Sequence, residues 1–269
     1  MSIEPGHRTA VDFLMGHMLL LRGENRRTMQ LADCFPLPLK NEGPTPCSAY
    51  VCVLDNGKMN SAGRIEYAGV ARHKNPLLCT MSQLAFYFFC PWNIVREPPP
   101  RFQRRQDWYD WHLLRGRDVL TPLSYEVQLE WTNKMFKAAG VTTLKKTHGR
   151  GQGSQEAERG GVSEHQIRRA GRWNTDALSQ SYLTNLPLEF VRVMAGFKPT
   201  PKNFYLPQAK VKPPMSLVRC LWPWADQWQA WFGRNWEVSG DNSLGGSSNE
   251  ELQLKDLPEG EEDRSDLAA

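Results

Sequence analysis

The sequence predicts a mainly α-helical fold with a small antiparallel β-sheet. Several apolar segments have helical spacing, and two short segments rich in β-forming residues flank an Asn-Gly pair, a strong hairpin signal. With 269 residues the chain is long enough to bury a core without disulfides or a metal. Its composition, 40% hydrophobic and 23% charged, excludes collagen, a coiled coil and wholesale disorder.

Two helices are predicted at the start of the chain. Residues 11–21 are apolar without strand-like alternation, so they predict a buried helix that ends near Arg22 and Gly23. A second, shorter helix is expected through Met29 and Leu31. This order puts Arg22 directly after a buried helix.

A β-hairpin is predicted next. Residues 49–54 and 65–70 are the two strands, and Asn56 and Gly57 lie between them. Both residue types tolerate the positive φ of a tight turn. Lys58 is therefore expected at or beside the turn.

Two helices are expected in the middle of the chain. Thr80 and Gln83 have the spacing of a capping box before an apolar segment with Leu84, Phe86, Phe88 and Phe89. Three prolines at 98–100 then interrupt regular structure. The next helix is predicted to start at Thr121-Pro122, to bury Leu123, Val127 and Trp131, and to stop at Gly140.

Two more helices are predicted further along. Ser163 and Gln166 mark the start of one, with Ile167 and Ala170 facing inward. Thr175 can cap the other, which contains Leu178 and Tyr182.

The chain is predicted to consist of one domain with extensions. Residues 1–9 are interpreted as an N-terminal extension and residues 10–198 as the domain. Six prolines between positions 199 and 223 predict an extended arm, residues 199–238, that packs on the domain through its tryptophans. Residues 239–269 are acidic and poor in apolar residues, so a disordered tail is expected.

The net charge of +4 conceals an uneven distribution. From Glu237 onward there are ten acidic and two basic residues, so the preceding 236 residues have 31 basic and 19 acidic groups, a net charge of +12. Such a surplus favours a polyanionic partner such as nucleic acid. Under the alternative interpretation, the basic surface docks an acidic protein or the chain's own tail.

The six cysteines include no C-x-x-C pair and no His at zinc-ligand spacing, so neither a metal nor another cofactor is expected. Reduced thiols in an intracellular protein are the favoured interpretation. The uncharged residues 13–21 are too few to span a bilayer, and no membrane role is indicated.

Six residues resemble a known family by the order in which they occur along the chain: Arg22, Lys58, His148, Arg150, Trp173 and Tyr182. This order resembles that in the catalytic domain of tyrosine recombinases: an arginine after a buried helix, a hairpin lysine, a His and an Arg in a Gly-rich segment, a Trp and then a Tyr. The resemblance implies the DNA breaking-rejoining fold of that family.

Residues 147–197 are similar to one branch in particular. Their Gly171-Arg172-Trp173-Asn174 and Tyr182-Leu183 segments resemble fungal proteins that share the DNA-binding domain II of the large centromere-binding kinetochore subunit, and the related Crypton transposon recombinases. The later Leu221-Trp222-Pro223-Trp224 segment matches too, and the resemblance covers residues 10–231. It implies a nuclear, centromere-binding or transposon-derived protein on double-stranded DNA, compatible with a homodimer or larger assembly there.

The resemblance also implies a role for each of the six residues. Arg22 and Arg150 would stabilise negative charge on the nonbridging oxygens of a phosphodiester. Tyr182 would attack phosphorus, and Lys58 would protonate the leaving sugar oxygen. His148 would handle the nucleophile's proton, and the indole would supply an N–H donor or packing.

The His-Arg box departs from the family's pattern. The family has two residues between His and Arg, whereas Gly149 alone separates His148 from Arg150. Counted back from Val162, Arg150 keeps its place and His148 is displaced, which costs proton transfer more than phosphate binding. We therefore expect a catalytically degenerate DNA-binding domain. The rival hypothesis is an active strand-transferase of Crypton type that uses Tyr182.

Further basic residues are expected to contact the DNA backbone: Arg26, Arg27, Arg72, His73, Lys74, Lys145, Lys146, Arg168, Arg169 and Arg172. The helix N-termini near Ser163 and Thr175 would also suit phosphate oxygens. The ordinary alternative for the arginines is a solvated surface, and for Trp173 and Tyr182 it is core packing.

Overall fold

Residues 3–54, 65–98, 100, 105–143, 149–173 and 186–221 are described by the computed structural model. The chain divides into two units, residues 1–212 and 213–269, and the described part of the second contains the helix Met215–Leu221. Within the described ranges, no helix is long and apolar enough to cross a membrane.

The first helix, α1 (Ile3–Met18), lies at the centre of the larger core, where Val11 and Met15 are completely buried. It begins earlier than predicted, because Glu4 and Pro5 are both favourable in the first turn of a helix. It also ends earlier, before Leu20, whose φ of 52° is incompatible with a continuing helix.

The second helix, α2 (Gly23–Thr28), lies slightly before the predicted position, and Leu31–Asp33 forms a single 3-10 turn. A three-stranded antiparallel sheet follows, with β1 (Cys34–Leu39), β2 (Cys47–Leu54) and β3 (Glu66–Ala71) in that spatial order. The pairing of β2 with β3 agrees with the predicted hairpin, whose turn at Asn56-Gly57 lies outside the described residues.

Strand β1, which contains Pro36 and Pro38, was not predicted. Proline cannot donate a ladder hydrogen bond, but β1 is an edge strand, where this donor is dispensable. Its Cys34 pairs with Cys52 of β2, and Leu39 pairs with Cys47.

Helix α3 (Thr80–Phe89) begins directly after Cys79, so Thr80 is its first residue rather than its cap. The helix buries Leu84 and Tyr87, whereas Phe86, expected in the core, has 53% of its surface exposed.

Helix α4 (Tyr125–Ala138) begins after Ser124, whose Oγ accepts a hydrogen bond from the Val127 N–H at 3.2 Å. The prediction placed this start at Thr121-Pro122. Those residues instead form β-bridge contacts, including a hydrogen bond of 2.7 Å from the Gly116 N–H to the Thr121 carbonyl. The stop at Gly140 agrees with the prediction, and this glycine has a φ of 68°.

Three helices complete the described part of the first unit: α5 (Gly149–Arg159), α6 (Glu164–Gly171) and α7 (Leu188–Met194). Helix α6 starts after Ser163 as predicted, and Ala170 is buried with Ile167 packed against the core. The predicted helix with Leu178 lies outside the described residues.

The sheet separates two apolar clusters, because successive strand residues face opposite sides. Cys52, Leu54, Ala68 and Val70 pack in the core around α1. The other face packs against α7 and a later segment through Ala49, Val51, Ala71, Val191, Phe204 and Leu206. The Phe204 N–H donates to the Glu42 carbonyl at 3.0 Å, so this part of the predicted arm lies on the domain.

A buried polar network joins α1, α2 and α4. Arg26 Nε donates to Asp12 Oδ1 at 2.7 Å, and Gln128 Nε2 donates to the same oxygen at 2.7 Å. Arg26 Nη1 also donates to the Leu21 carbonyl at 2.9 Å. Gly16 makes room for this guanidinium, because a Cβ there would collide with it.

The Asp12→Asn variant is expected to lose about 3 kcal/mol of unfolding free energy, because Arg26 stays buried without its counter-charge. The matched control is Glu130→Gln, which breaks an exposed ion pair with Lys134 and should cost less than about 0.5 kcal/mol. Urea unfolding followed by circular dichroism measures both. Equal losses in the two variants would contradict the structural role of Asp12.

Candidate nucleic-acid interface

Arg22 lies in the turn between α1 and α2, where it is the N-cap residue of α2 and is half-buried. Its extended backbone, with φ of −70° and ψ of 153°, follows the positive φ of Leu20. The carbonyls of Leu19, Leu20 and Leu21 each accept a hydrogen bond from a buried arginine side chain. The backbone that leads into Arg22 is therefore fixed from inside the protein.

Helix α5 brings Arg150 to this turn because glycines let it approach α1 closely. A Cβ on Gly149 would lie 3.1 Å from the backbone of Gly16, and one on Gly153 would collide with the His17 carbonyl oxygen. The glycines of this segment thus allow a close helix crossing.

The Arg150 guanidinium lies over the ring of Trp173, with Cζ 4.6 Å from the ring centroid. Its Nη2 donates to the Gly171 carbonyl, and its Nε is buried without a hydrogen-bond partner. The stacking and the carbonyl bond orient the planar group and leave donor capacity unused.

Arg172 turns inward instead of lying on the surface as predicted. It ends α6 with a φ of 54°, and its side chain is 13% exposed. Nη2 donates to the carbonyls of Leu20 at 2.8 Å and Leu19 at 3.4 Å, and Nε lies 4.0 Å from Glu66 Oε2. Nη1 is buried without a partner.

Arg22, Arg150 and Arg172, which we call the arginine cluster, concentrate positive charge. The pKa of Arg150 is lowered to about 10 by burial and then by the charge of Arg22, while Glu66 opposes the shift. The pKa of Arg172 is also lowered to about 10, by burial first and then by the charges of Arg150 and Arg22, while Glu66 opposes the shift. At pH 7 both arginines keep their charge, so the cluster is positive and suited to an anion.

Three of the six predicted site residues are brought together here: Arg22, Arg150 and Trp173. Lys58, His148 and Tyr182 lie outside the described residues, as do Lys145 and Lys146. The strand residues that flank the Lys58 segment, Leu54 and Glu66, are paired in the sheet, and Glu66 approaches Arg172.

Arg26 and Arg27 do not point at a common surface. Arg26 is buried and bonded to Asp12, in place of the DNA contact that was expected of it. Arg27 is half-buried, donates to Gln128 Oε1 at 2.8 Å and lies over the Tyr125 ring at 5.5 Å.

On α6, Arg168 is exposed and forms an ion pair of 2.7 Å with Glu164 one turn earlier. Arg169 is half-buried, and burial lowers its pKa. The expected phosphate site at the start of α6 is occupied, because the Glu189 carboxylate accepts bonds from the N–H and Oγ of Ser163 at 3.2 and 2.8 Å.

Arg72, His73 and Lys74 follow the far end of β3. The strand from Glu66 to Ala71 spans about 17 Å, so these residues are separate from the arginine cluster. Burial lowers the pKa of His73, which is consequently neutral at pH 7. Lys74 is exposed, and its N–H donates to the Ala195 carbonyl at 2.9 Å.

Sequence reasoning missed Glu66 and the inward role of Arg172. Glu66 lies within a predicted strand, residues 65–70, and has no motif around it. The Gly171-Arg172 pair offered little signal, because a glycine more often takes the left-handed position at a helix end that Arg172 has here.

The solved structures similar to this chain include two recombinase–DNA complexes. A complex of a Flpe recombinase point mutant with a DNA Holliday junction has a TM-score of 0.50 and 11% identity, over 85% of this chain and 53% of its own. An FLP recombinase–Holliday junction complex has a TM-score of 0.49 and 12% identity, over 86% and 53%. The chain spans about half the length of these recombinase chains.

The first likeness shows the fold, a tyrosine-recombinase-like arrangement of helices around a small antiparallel sheet, and confirms the predicted fold class. A comparison with curated protein sequences finds no match. Residues 3–257 match the family described as "Centromere DNA-binding protein complex CBF3 subunit, domain 2", which confirms the resemblance stated from the motifs. The match extends over nearly the whole chain, and the chain therefore belongs to this family of centromere DNA-binding complex subunits.

Proposed function

We propose that this chain binds double-stranded DNA as part of a nuclear, centromere-binding assembly, and that Arg22 and Arg150 hold a backbone phosphate. The observation that carries the proposal is the arginine cluster, in which the Arg150 guanidinium is held by Trp173 and the Gly171 carbonyl beside the charge of Arg22. Like charges destabilise one another at such a site, and a phosphate would relieve that repulsion.

The surroundings of Arg150 support phosphate binding. Its guanidinium is held against Trp173 and the Gly171 carbonyl, so little side-chain freedom remains to be lost when an anion binds. Burial strengthens a charge-assisted hydrogen bond, because the local dielectric constant is low. A phosphodiester presents two nonbridging oxygens, which match two neighbouring guanidiniums.

The comparisons support DNA as the source of the phosphate. The family carries centromere DNA binding in its description, and the recombinase with the shared fold is described in complex with a DNA Holliday junction. The net charge of +12 over the first 236 residues favours the same partner.

Within this proposal the domain binds DNA without cleaving it. One residue, rather than the family's two, separates His148 from Arg150, so we expect a displaced imidazole relative to the phosphate-binding guanidinium. Proton transfer requires a group within hydrogen-bond reach of the reacting atoms, whereas phosphate binding needs the arginines alone. The rival is a Crypton-type recombinase in which Tyr182 forms a 3′-phosphotyrosine.

Arg150→Ala is expected to weaken duplex binding about tenfold or more, since one charge-assisted phosphate contact is lost. The logarithmic salt dependence of the affinity should also fall by roughly one phosphate contact. Fluorescence anisotropy with a labelled duplex across a salt series measures both quantities, and the stoichiometry of the titration tests binding as a homodimer.

The matched control for this experiment is Arg117→Ala, because Arg117 has the same charge but an 89% exposed side chain paired with Asp118. It should leave the affinity nearly unchanged. Equal losses of affinity in the two variants would show that binding depends only on net charge and would contradict a phosphate site at Arg150.

A nicked suicide duplex is expected to give no covalent adduct with this chain. Because the His148–Arg150 spacing departs from the family's pattern, we expect no effective proton transfer from the nucleophile, and the adduct should be absent on denaturing gels at protein concentrations that saturate the duplex. An adduct that persists in the wild type and disappears in Tyr182→Phe would establish strand cleavage and overturn the degenerate assignment.

A further inference from the structure

We propose that Arg172 is a positioning residue for the arginine cluster: it ties the α1–α2 turn, which carries Arg22, to the end of α6, which orients Arg150. The inference deepens the proposed function and rests on it for its DNA-binding consequence. It assigns Arg172 to the interior of the site, where its own guanidinium does not touch DNA.

The side chain of Arg172 binds the turn. Its Nη2 donates to the Leu20 carbonyl at 2.8 Å and to the Leu19 carbonyl at 3.4 Å. Leu20 has a φ of 52°, a conformation that a β-carbon disfavours and that persists only where surrounding contacts impose it. Arg22 follows two residues later, so the direction of its backbone depends on this contact.

The backbone of Arg172 connects the same contact to Arg150. The residue before it, Gly171, offers the carbonyl that accepts from Arg150 Nη2, and the residue after it, Trp173, provides the ring under the guanidinium. Arg172 itself adopts a φ of 54°, which turns its side chain out of α6 and into the turn. Arg172 thus connects the backbone that positions Arg22 to the groups that orient Arg150.

The surroundings of Arg172 argue against direct contact with DNA. The side chain is 13% exposed, Nη2 is already bonded, and the unpartnered Nη1 is buried from solvent. Glu66, 4.0 Å from Nε, partly compensates its charge. A surface arginine that binds phosphate would have free and accessible nitrogens instead.

A double-mutant cycle tests this role through duplex affinity. Arg22→Ala and Arg172→Met should each weaken binding about tenfold, and the double variant should lose about tenfold as well rather than about a hundredfold. The salt dependence should fall by the same amount in all three variants. The reason is that Arg172 acts through Arg22, so its loss has no further effect once Arg22 is gone.

The matched control is Arg8→Met. Arg8 is also a buried arginine, 8% exposed, and it donates to the Arg115 carbonyl at 2.9 Å, away from the cluster. Its loss should lower the thermal unfolding temperature without changing duplex affinity. If Arg172→Met does not fold, Arg172→Lys replaces it in the cycle. A lysine keeps the charge and can reach one carbonyl, so its loss of affinity should be smaller than tenfold and should again disappear in the Arg22→Ala background.

A second measurement does not depend on DNA. Hydrogen–deuterium exchange of the peptide covering residues 19–25 should accelerate in the Arg172 variant and remain unchanged in Arg8→Met. Unchanged exchange, or additive losses of affinity in the cycle, would overturn the positioning role. Faster exchange with no affinity loss in Arg22→Ala would support the positioning role and instead refute the proposed phosphate site.

Discussion

The turn between α1 and α2 is held from inside by two buried guanidiniums, and the geometry of the candidate site depends on it. Arg26 binds the Leu21 carbonyl from the α2 side, and Arg172 binds the Leu19 and Leu20 carbonyls from the end of α6. A buried carbonyl without a donor is costly, so these bonds satisfy a backbone that has left the helix. They also specify one conformation for the residue that follows, Arg22.

The arginine cluster next to this turn is electrostatically unfavourable. Arg22, Arg150 and Arg172 repel one another, and Glu66 offsets the repulsion only in part. A core built for stability alone would replace such groups with apolar side chains. Departures of this kind mark functional sites, where stability is given up for a local charge that a ligand needs. Membership of a family of centromere DNA-binding complex subunits agrees with an anionic ligand of nucleic-acid type.

Much of the fold could be predicted because it is encoded in local patterns. The β2–β3 pairing followed from β-forming residues around Asn-Gly, and the start of α6 followed from Ser163. The wrong predictions concern elements whose structure depends on tertiary contacts. Strand β1 tolerates its prolines only because it is an edge strand, and Thr121-Pro122 was drawn into a β-bridge instead of starting α4.

The sequence by itself determined the family, the fold class and the order in which Arg22, Arg150 and Trp173 occur, because these depend on motifs and periodicity. Only the tertiary structure decided which arginines face inward. Arg26 meets Asp12 and Arg172 meets Leu20, partners that are 14 and 152 positions away along the chain. Adjacent arginines look alike in a linear sequence, since burial and hydrogen bonding arise only when distant segments pack together.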